Sequence, residues 1–264
     1  MFSNGLIQIT LIQIDNYGRW TSSLGYDRED KLQILQASLY TDVQRFFSSL
    51  GGIAFFHSFD TMMAVTNGID EGSHRRIQSE ICSRYPISVS MSVGVSSTAY
   101  KAQRWASEEL IKRNTSPVHS QRMILINSEK IVDEGGGLVQ IAHFDVDDST
   151  KLFLDTRSAY DAALAIDRSF QTLAFLLKEK EALLFFCGGD NFISPCNGLS
   201  TSELHEIITA VYEETGVKFK VGVGLAQKAR EALKFAAMGL DEIRAGKYPG
   251  PIKLFSKIYT DQLK

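Results

Sequence analysis

Four aspartates, Asp15, Asp60, Asp145 and Asp190, stand where a carboxylate can do chemistry. Asp15 and Asp145 each close a run in which apolar and polar residues alternate, Ile12-Gln13-Ile14-Asp15 and Ala142-His143-Phe144-Asp145. A period of two belongs to a strand. It puts Ile12, Ile14, Ala142 and Phe144 on one face and Gln13, Asp15, His143 and Asp145 on the other. Asp60 and Asp190 each lie between two short apolar runs, the position of a hairpin turn. If that turn lies beside the end of the first strand, Asp15 meets Asp60 and Asp145 meets Asp190. Two close carboxylates repel, and a divalent cation relieves the repulsion. Oxygen ligands without clustered His or Cys suit magnesium or manganese and argue against zinc. The pair Gly188-Gly189 lets a phosphate or a base approach the backbone ahead of Asp190 and Asn191. His143, on the face of Asp145, and His57, ahead of the first turn, are candidate proton carriers. Plainer readings stand beside these: strand-end aspartates, structural histidines, and a Gly-Gly-Asp-Asn turn chosen for positive φ.

The elements that must position these residues come twice. A shift of 130 residues superposes Asp15 on Asp145, Phe55-Phe56 on Phe185-Phe186, Asp60 on Asp190, Asn67-Gly68 on Asn197-Gly198 and Val93-Gly94 on Val223-Gly224 without a gap. Each copy reads as a strand (Leu6 to Asp15, Leu138 to Val146), then an amphipathic helix (Glu29 to Leu50, Ser158 to Lys180). A hairpin follows (Ile53–Phe56 with Met62–Val65, Leu183–Phe186 with Phe192–Ile193). Then come a second helix (Glu71 to Arg84, Thr201 to Glu214), a strand (Ile87 to Val95, Lys218 to Leu225) and a last helix (Tyr100 to Arg113, Lys228 to Ala245). The order β-α-β-β-α-β predicts an α/β (α+β) protein of two ferredoxin-like domains, residues 1–125 and 126–264, with Gly135-Gly136-Gly137 as the loop between them. Each is expected to have an antiparallel sheet with helices on one face. The other face is left for the second copy, a partner or substrate, and this leads to an expectation of a homo-oligomer.

Composition removes several classes. The 264 residues carry a net charge of −3, so there is no basic footprint for nucleic acid. No apolar run reaches the ~20 residues of a membrane span. The N-terminal stretch lacks the basic and small-residue marks of a signal peptide. Three cysteines without a C-x-x-C spacing fit a reducing, cytoplasmic setting; Cys187 and Cys196 could face each other across a hairpin. A polyanionic ligand would need a metal ion or backbone N–H groups.

The hairpin Gly188-Gly189-Asp190-Asn191-Phe192 resembles the GGDEF hairpin of diguanylate cyclases, a palm fold shared with class III nucleotide cyclases, and Phe144-Asp145-Val146-Asp147 is similar to their metal-binding first strand. Asn191 replaces the glutamate of that motif, and the cyclases' receptor and signalling modules are missing. The chain is more similar to the GTP cyclohydrolase III family, at Ile9 through Gly18, Ala64-Val65-Thr66-Asn67-Gly68, Ser158-Ala159-Tyr160-Asp161 and Gly188 through Phe192. It departs from the family at Thr61, where asparagine is usual, and at Ser58, where arginine is usual. The resemblance implies two palm-like domains and hydrolytic opening of the imidazole ring of GTP, with loss of two inorganic phosphates. It also implies Mg2+ on Asp15, Asp60, Asp145 and Asp190, and K+ as an activator. Asn16, Tyr17, Tyr160, Asp161, Gly188, Gly189 and Asn191 are then candidates for nucleotide contacts. A nucleotide or diguanylate cyclase and a non-catalytic GTP-binding regulator remain the alternative readings, since fold alone does not select among them.

Overall fold

The computed structural model describes residues 5–58, 60–114, 123–128, 137–147 and 158–256, which form two compact units. One lies within residues 6–97 and 101–136. The other lies within 137–264 and takes in Gly5 and 98–100. The division falls after residue 136 and not at 125, because the short strand Leu125–Asn127 pairs with the first unit's sheet. Gly135 and Gly136 are outside the described residues.

The first unit contains β1 (Ile7–Ile14), α1 (Tyr17–Ser23), α2 (Glu29–Ser49), β2 (Ile53–Phe56), β3 (Thr61–Val65), α3 (Glu71–Arg84), β4 (Val89–Ser96), most of α4 (Ala99–Asn114) and β5 (Leu125–Asn127). The second contains β6 (Val139–Val146), α5 (Ala159–Glu179), β7 (Phe185–Phe186), β8 (Asn191–Pro195), α6 (Thr201–Thr215), β9 (Phe219–Ala226), α7 (Ala229–Arg244) and β10 (Ile252–Ser256). The strand orders correspond: β2-β3-β1-β4-β5 and β7-β8-β6-β9-β10. The first four strands of each sheet are antiparallel in ferredoxin-like order. The fifth runs parallel to its neighbour, so each sheet is mixed.

The alternation read in the first strands fixes the cores. Ile12 and Ile14 pack with Leu39, Val43 and Phe47 of α2 and Ile77 and Ile81 of α3. Ala142, Phe144 and Val146 pack with Leu173 and Leu177 of α5 and Leu204, Ile208 and Val211 of α6. Each fully buried side chain of this size contributes about 1.5–3 kcal/mol. Side-chain caps fix where the second helices begin. Asp70 accepts from Ser73 N, and Ser200 and Glu203 form a reciprocal capping box.

The opposite sheet face is not left open, as the pattern had suggested. In the second unit α7 lies across it, seated on glycine. A Cβ at Gly224 would strike the carbonyl oxygen of Ala232, and one at Gly222 would strike that of Ala236. In the first unit Gly94 stands in the same relation to Ala102 of α4. The last helix therefore approaches the sheet backbone to backbone, which only glycine permits. With this face covered within the unit, it gives no ground for self-association.

The two cores differ in polarity. Beneath the first sheet Gln8, Thr66, Thr10 and His74 form a buried chain. His74 Nδ1 lies 2.7 Å from the Asp70 carbonyl oxygen, so Nδ1 donates and Nε2 accepts from Thr10 Oγ1 at 2.9 Å. Thr66 Oγ1 then donates to Thr10 (2.8 Å), and Gln8 Nε2 donates to Thr66 Oγ1 (3.2 Å). Every donor is placed for a neutral imidazole. In the second unit Gln140 keeps the place of Gln8, while Ala142, Cys196 and Leu204 put apolar core where Thr10, Thr66 and His74 stand.

Two consequences can be measured. Gly224→Ala should lower stability by about 1–3 kcal/mol or more through backbone overpacking, read as a lower denaturation midpoint; an unchanged midpoint would mean that the helix does not lie this close. Burial pushes the His74 pKa below 6.5. The stability of the neutral form is thus present above the unfolded value and lost as pH falls through the folded value. Between about pH 7 and pH 5 the wild type should lose more midpoint than His74→Gln, and equal losses would show that His74 does not titrate on unfolding.

Candidate functional site

Backbone pairing decides which residues share a site, and it changes the superposition of the two copies. Ile14 N donates to Asp60 O (2.8 Å) and Val146 N to Asp190 O (3.4 Å). Gln8 N and Gln140 N donate to Asn67 Oδ1 and Asn197 Oδ1, each at 2.9 Å. The first strands thus correspond at a spacing of 132 (Ile14 to Val146), while the turns keep 130 (Asp60 to Asp190). The structural counterpart of Asp15 is Asp147, not Asp145. Asp145 corresponds to Gln13, and His143 to Leu11. The difference is taken up in the link to the long helix, which runs from Asp15 to Glu29 in one unit and from Asp147 to Ala159 in the other. Side-chain contacts agree: Ser90 Oγ donates to Asp15 Oδ1 at 2.5 Å, and Lys220 Nζ, at the matching place on β9, pairs with Asp147 Oδ1 at 2.7 Å.

In the second unit β6 carries His143 and Asp145 on the face that looks toward α7, and Asp147 follows at its end. Asp145 is 8% exposed. Arg244, the last residue of α7, engages both of its oxygens, Nη2 to Oδ1 at 2.5 Å and Nε to Oδ2 at 3.2 Å. The carboxylate raises the guanidinium pKa above its ordinary value. The fork geometry is that of a strong charge-assisted pair. The β7–β8 turn supplies Asp190 and Asn191. Gly188 (φ 101°) and Gly189 (φ 62°) take conformations that side chains disfavour, and the space above both is open.

The turn and the strand are joined by a directed chain. Asn191 Nδ2 donates to Asp190 Oδ1 (2.9 Å), so Asn191 Oδ1 faces His143 Nε2 (2.9 Å) and accepts from it. His143 is therefore the Nε2–H tautomer, and its buried Nδ1 has no partner among the described residues. Burial pushes the His143 pKa below 6.5; the Asn191 hydrogen bond and the charges of Asp145 and Asp190 raise it by less, while Arg244 lowers it. Asp145 and Asp190 thus act on the same imidazole and the same guanidinium.

The first unit is built differently. The Asp15 carboxylate accepts from Ser88 Oγ (2.6 Å), Ser90 Oγ and Met123 N (3.0 Å). Asp60 accepts from Ser58 and Thr61 within its own turn, both at 3.1 Å. Each acid is satisfied by neutral donors from a different direction. Burial raises the Tyr17 pKa and lowers that of His57, and Asp60 lies close enough for its charge to raise both by less. Tyr17 accepts from Gln36 Nε2 at 2.9 Å and stands beside Trp20; Asn16, at φ 52°, begins α1. Tyr160 and Asp161 are exposed in the first turn of α5, where Asp161 N donates to the Ser158 hydroxyl at 3.2 Å. Cys187 and Cys196 are both free, the latter in the core. Among the described residues no group of three or more His, Cys, Asp or Glu stands close enough to hold a metal unaided, and no helix is long and apolar enough to cross a membrane.

Arg244 and Lys220 were not among the residues singled out in the sequence, and Asp147 entered only as part of the segment that resembles the cyclases' first strand. Alternation along β9, which puts Lys220 on the face of Gly222 and Gly224, was the available signal; its register opposite Asp145 shows only in the folded sheet. Arg244, ninety-nine residues from Asp145, gave none.

Fold and site together define a class: ferredoxin-like α/β proteins with acids, bases and an imidazole gathered where the central strand meets a hairpin turn. The model of the family GTP cyclohydrolase III matches residues 8–257. The GTP cyclohydrolase III of Methanobrevibacter smithii is 45% identical over 90% of this chain and 94% of its own, and that of Methanothermobacter thermautotrophicus 46% identical over 91% and 96%. The Methanosphaera stadtmanae protein of the same name is 40% identical over 96% and 99%. A bacterial light-regulated adenylyl cyclase of solved structure aligns over 94% of this chain and 85% of its own at 7% identity and a TM-score of 0.38. The chain belongs to the GTP cyclohydrolase III family.

The tautomer chain can be tested directly. Asn191→Ala removes the bond that raises the His143 pKa, so the imidazole should titrate at a lower pH in an NMR titration than in the wild type. A value that stays put or rises would show that Asn191 does not hold the ring.

Proposed function

We propose that this chain hydrolyses GTP, opening the imidazole ring at C8 to give 2-amino-5-formylamino-6-(5-phosphoribosylamino)pyrimidin-4(3H)-one and two inorganic phosphates, and that the second unit performs the chemistry. The match to the GTP cyclohydrolase III family along residues 8–257 carries the activity. The cluster of His143, Asp145, Asp190, Asn191 and Arg244 supports the location.

Mg2+ is the metal this donor set fits. Asp145 and Asp190 offer carboxylate oxygens, burial keeps the neighbouring Cys187 a thiol with its pKa pushed up to about 11, and Nε2 of His143 is already committed to Asn191. When bound, the ion supplies neutralisation of the triphosphate and activation of water. The remaining work falls to the chain's own groups. Gly188 and Gly189 leave open space for a phosphate or the base to lie against the turn. Lys220 and Arg244 bring positive charge to the same end of the sheet. His143 Nδ1, kept as a lone pair by the Asn191 contact and buried from solvent, takes a proton only from a water that has entered the site with substrate, and the charges of Asp145 and Asp190 favour the imidazolium that results. Asp15 and Asp60, each satisfied by hydroxyl donors, suit ligand binding better than chemistry.

Asp190→Asn should lower Mg2+-dependent turnover by about 100-fold or more with its circular dichroism intact, while Asp60→Asn lowers it by less than about tenfold. Mass analysis of the product from GTP and Mg2+ reads both reactions. Equal losses in the two variants would remove the assignment to the second unit, and a cyclic nucleotide with pyrophosphate would remove the hydrolase.

A further inference from the structure

We propose that Arg244 is a resident counter-cation that occupies the Asp145 carboxylate until a divalent ion arrives, and that the two compete for it. This rests on the reading of Asp145 as a metal-holding residue.

The argument begins with burial. A carboxylate this far out of water is costly unless a positive charge compensates it. Lys220 is committed to Asp147 at 2.7 Å, and Arg244 takes both oxygens of Asp145. A divalent ion drawn to the same oxygens meets a guanidinium of like sign, so one must yield. Arg244 is built to yield. Its side chain is 45% exposed against 11% for that of Asp145. It ends α7, where the helix dipole favours a cation whichever way the side chain turns. A second berth exists one turn back, with Nη1 already 3.6 Å from Asp241 Oδ1. The helix itself is held by its glycine seat, so the exchange involves the side chain alone.

The first unit supplies the comparison. Gln13 stands where Asp145 would be, and the residue 130 positions before Arg244 is Asn114, at the end of α4. The acid and its base are absent together, as expected if the arginine is there because the aspartate is.

The test uses the full chain with Mn2+ alone, without nucleotide, by calorimetric titration and thermal melting. Arg244→Gln should bind Mn2+ about tenfold more tightly than the wild type, the scale of one half-buried ion pair no longer given up. Added Mn2+ should also raise its melting temperature by more, because the metal-free form now holds an uncompensated carboxylate. Arg244→Lys, which keeps the charge but not the fork, should fall between. Asp145→Asn should lose the binding. If Asp145→Asn loses it while Arg244→Gln binds equally or more weakly, Arg244 orients the aspartate and does not compete with metal; the inference falls and the site reading stands. If Asp145→Asn binds as the wild type does, or neither the wild type nor Arg244→Gln binds Mn2+, both fall. If Arg244→Gln does not fold, Arg244→Lys decides: tighter binding than the wild type supports competition, and equal or weaker binding overturns it.

Discussion

A nearly buried negative charge at the end of the central strand is the constraint from which the second unit's site follows. Asp145 stands on β6 between β8 and β9, so backbone hydrogen bonds on both sides fix its place. Its charge cannot be left unanswered in that setting. Arg244 answers it from α7, and Lys220 is drawn to Asp147. Asp190 enters the same field from the turn and, through Asn191, dictates which nitrogen of His143 carries a proton. Acid, base and imidazole are thus one electrostatic unit whose members set one another's orientation.

Much of this was legible in the sequence, for a physical reason. Alternation depends on the pleat alone, so the outward face of His143 and Asp145 could be read without knowing any partner strand. Pairing register depends on partners, and here the gapless superposition placed Asp15 two residues away from its true counterpart. The error left no trace in the facial pattern because two is an even number: a slip of one would have turned every apolar residue outward and exposed itself. The fifth, parallel strand and the seating of α7 on the second face also escaped. Both depend on contacts between residues distant in sequence, although Gly222 and Gly224 hinted at a close approach. Arg244 illustrates the limit, for nothing local in a helix terminus reveals which carboxylate it will meet.

The two units share a strand order and differ in where they place polarity. The first buries a hydrogen-bonded chain ending at His74 beneath its sheet, and its acids are met by neutral hydroxyls. The second has apolar residues in place of Thr10, Thr66 and His74 and concentrates charge at the strand end. A buried neutral network favours a single well-defined arrangement, since each donor has one place to point. A cluster of formal charges invites a multivalent ligand. One topology therefore carries a neutral polar network in one case and a cluster of formal charges in the other.

The glycine seat beneath α7 has a consequence for tempo. A helix whose backbone rests directly on a sheet has no cushion of side chains in which to shift, so the site has no slow mechanical part on this side. Whatever rearranges at Asp145 is confined to rotation about the bonds of one half-exposed arginine, a process of picoseconds to nanoseconds. Arrival and departure of ions, and not motion of the fold, would then set the pace at which this end of the protein is made ready.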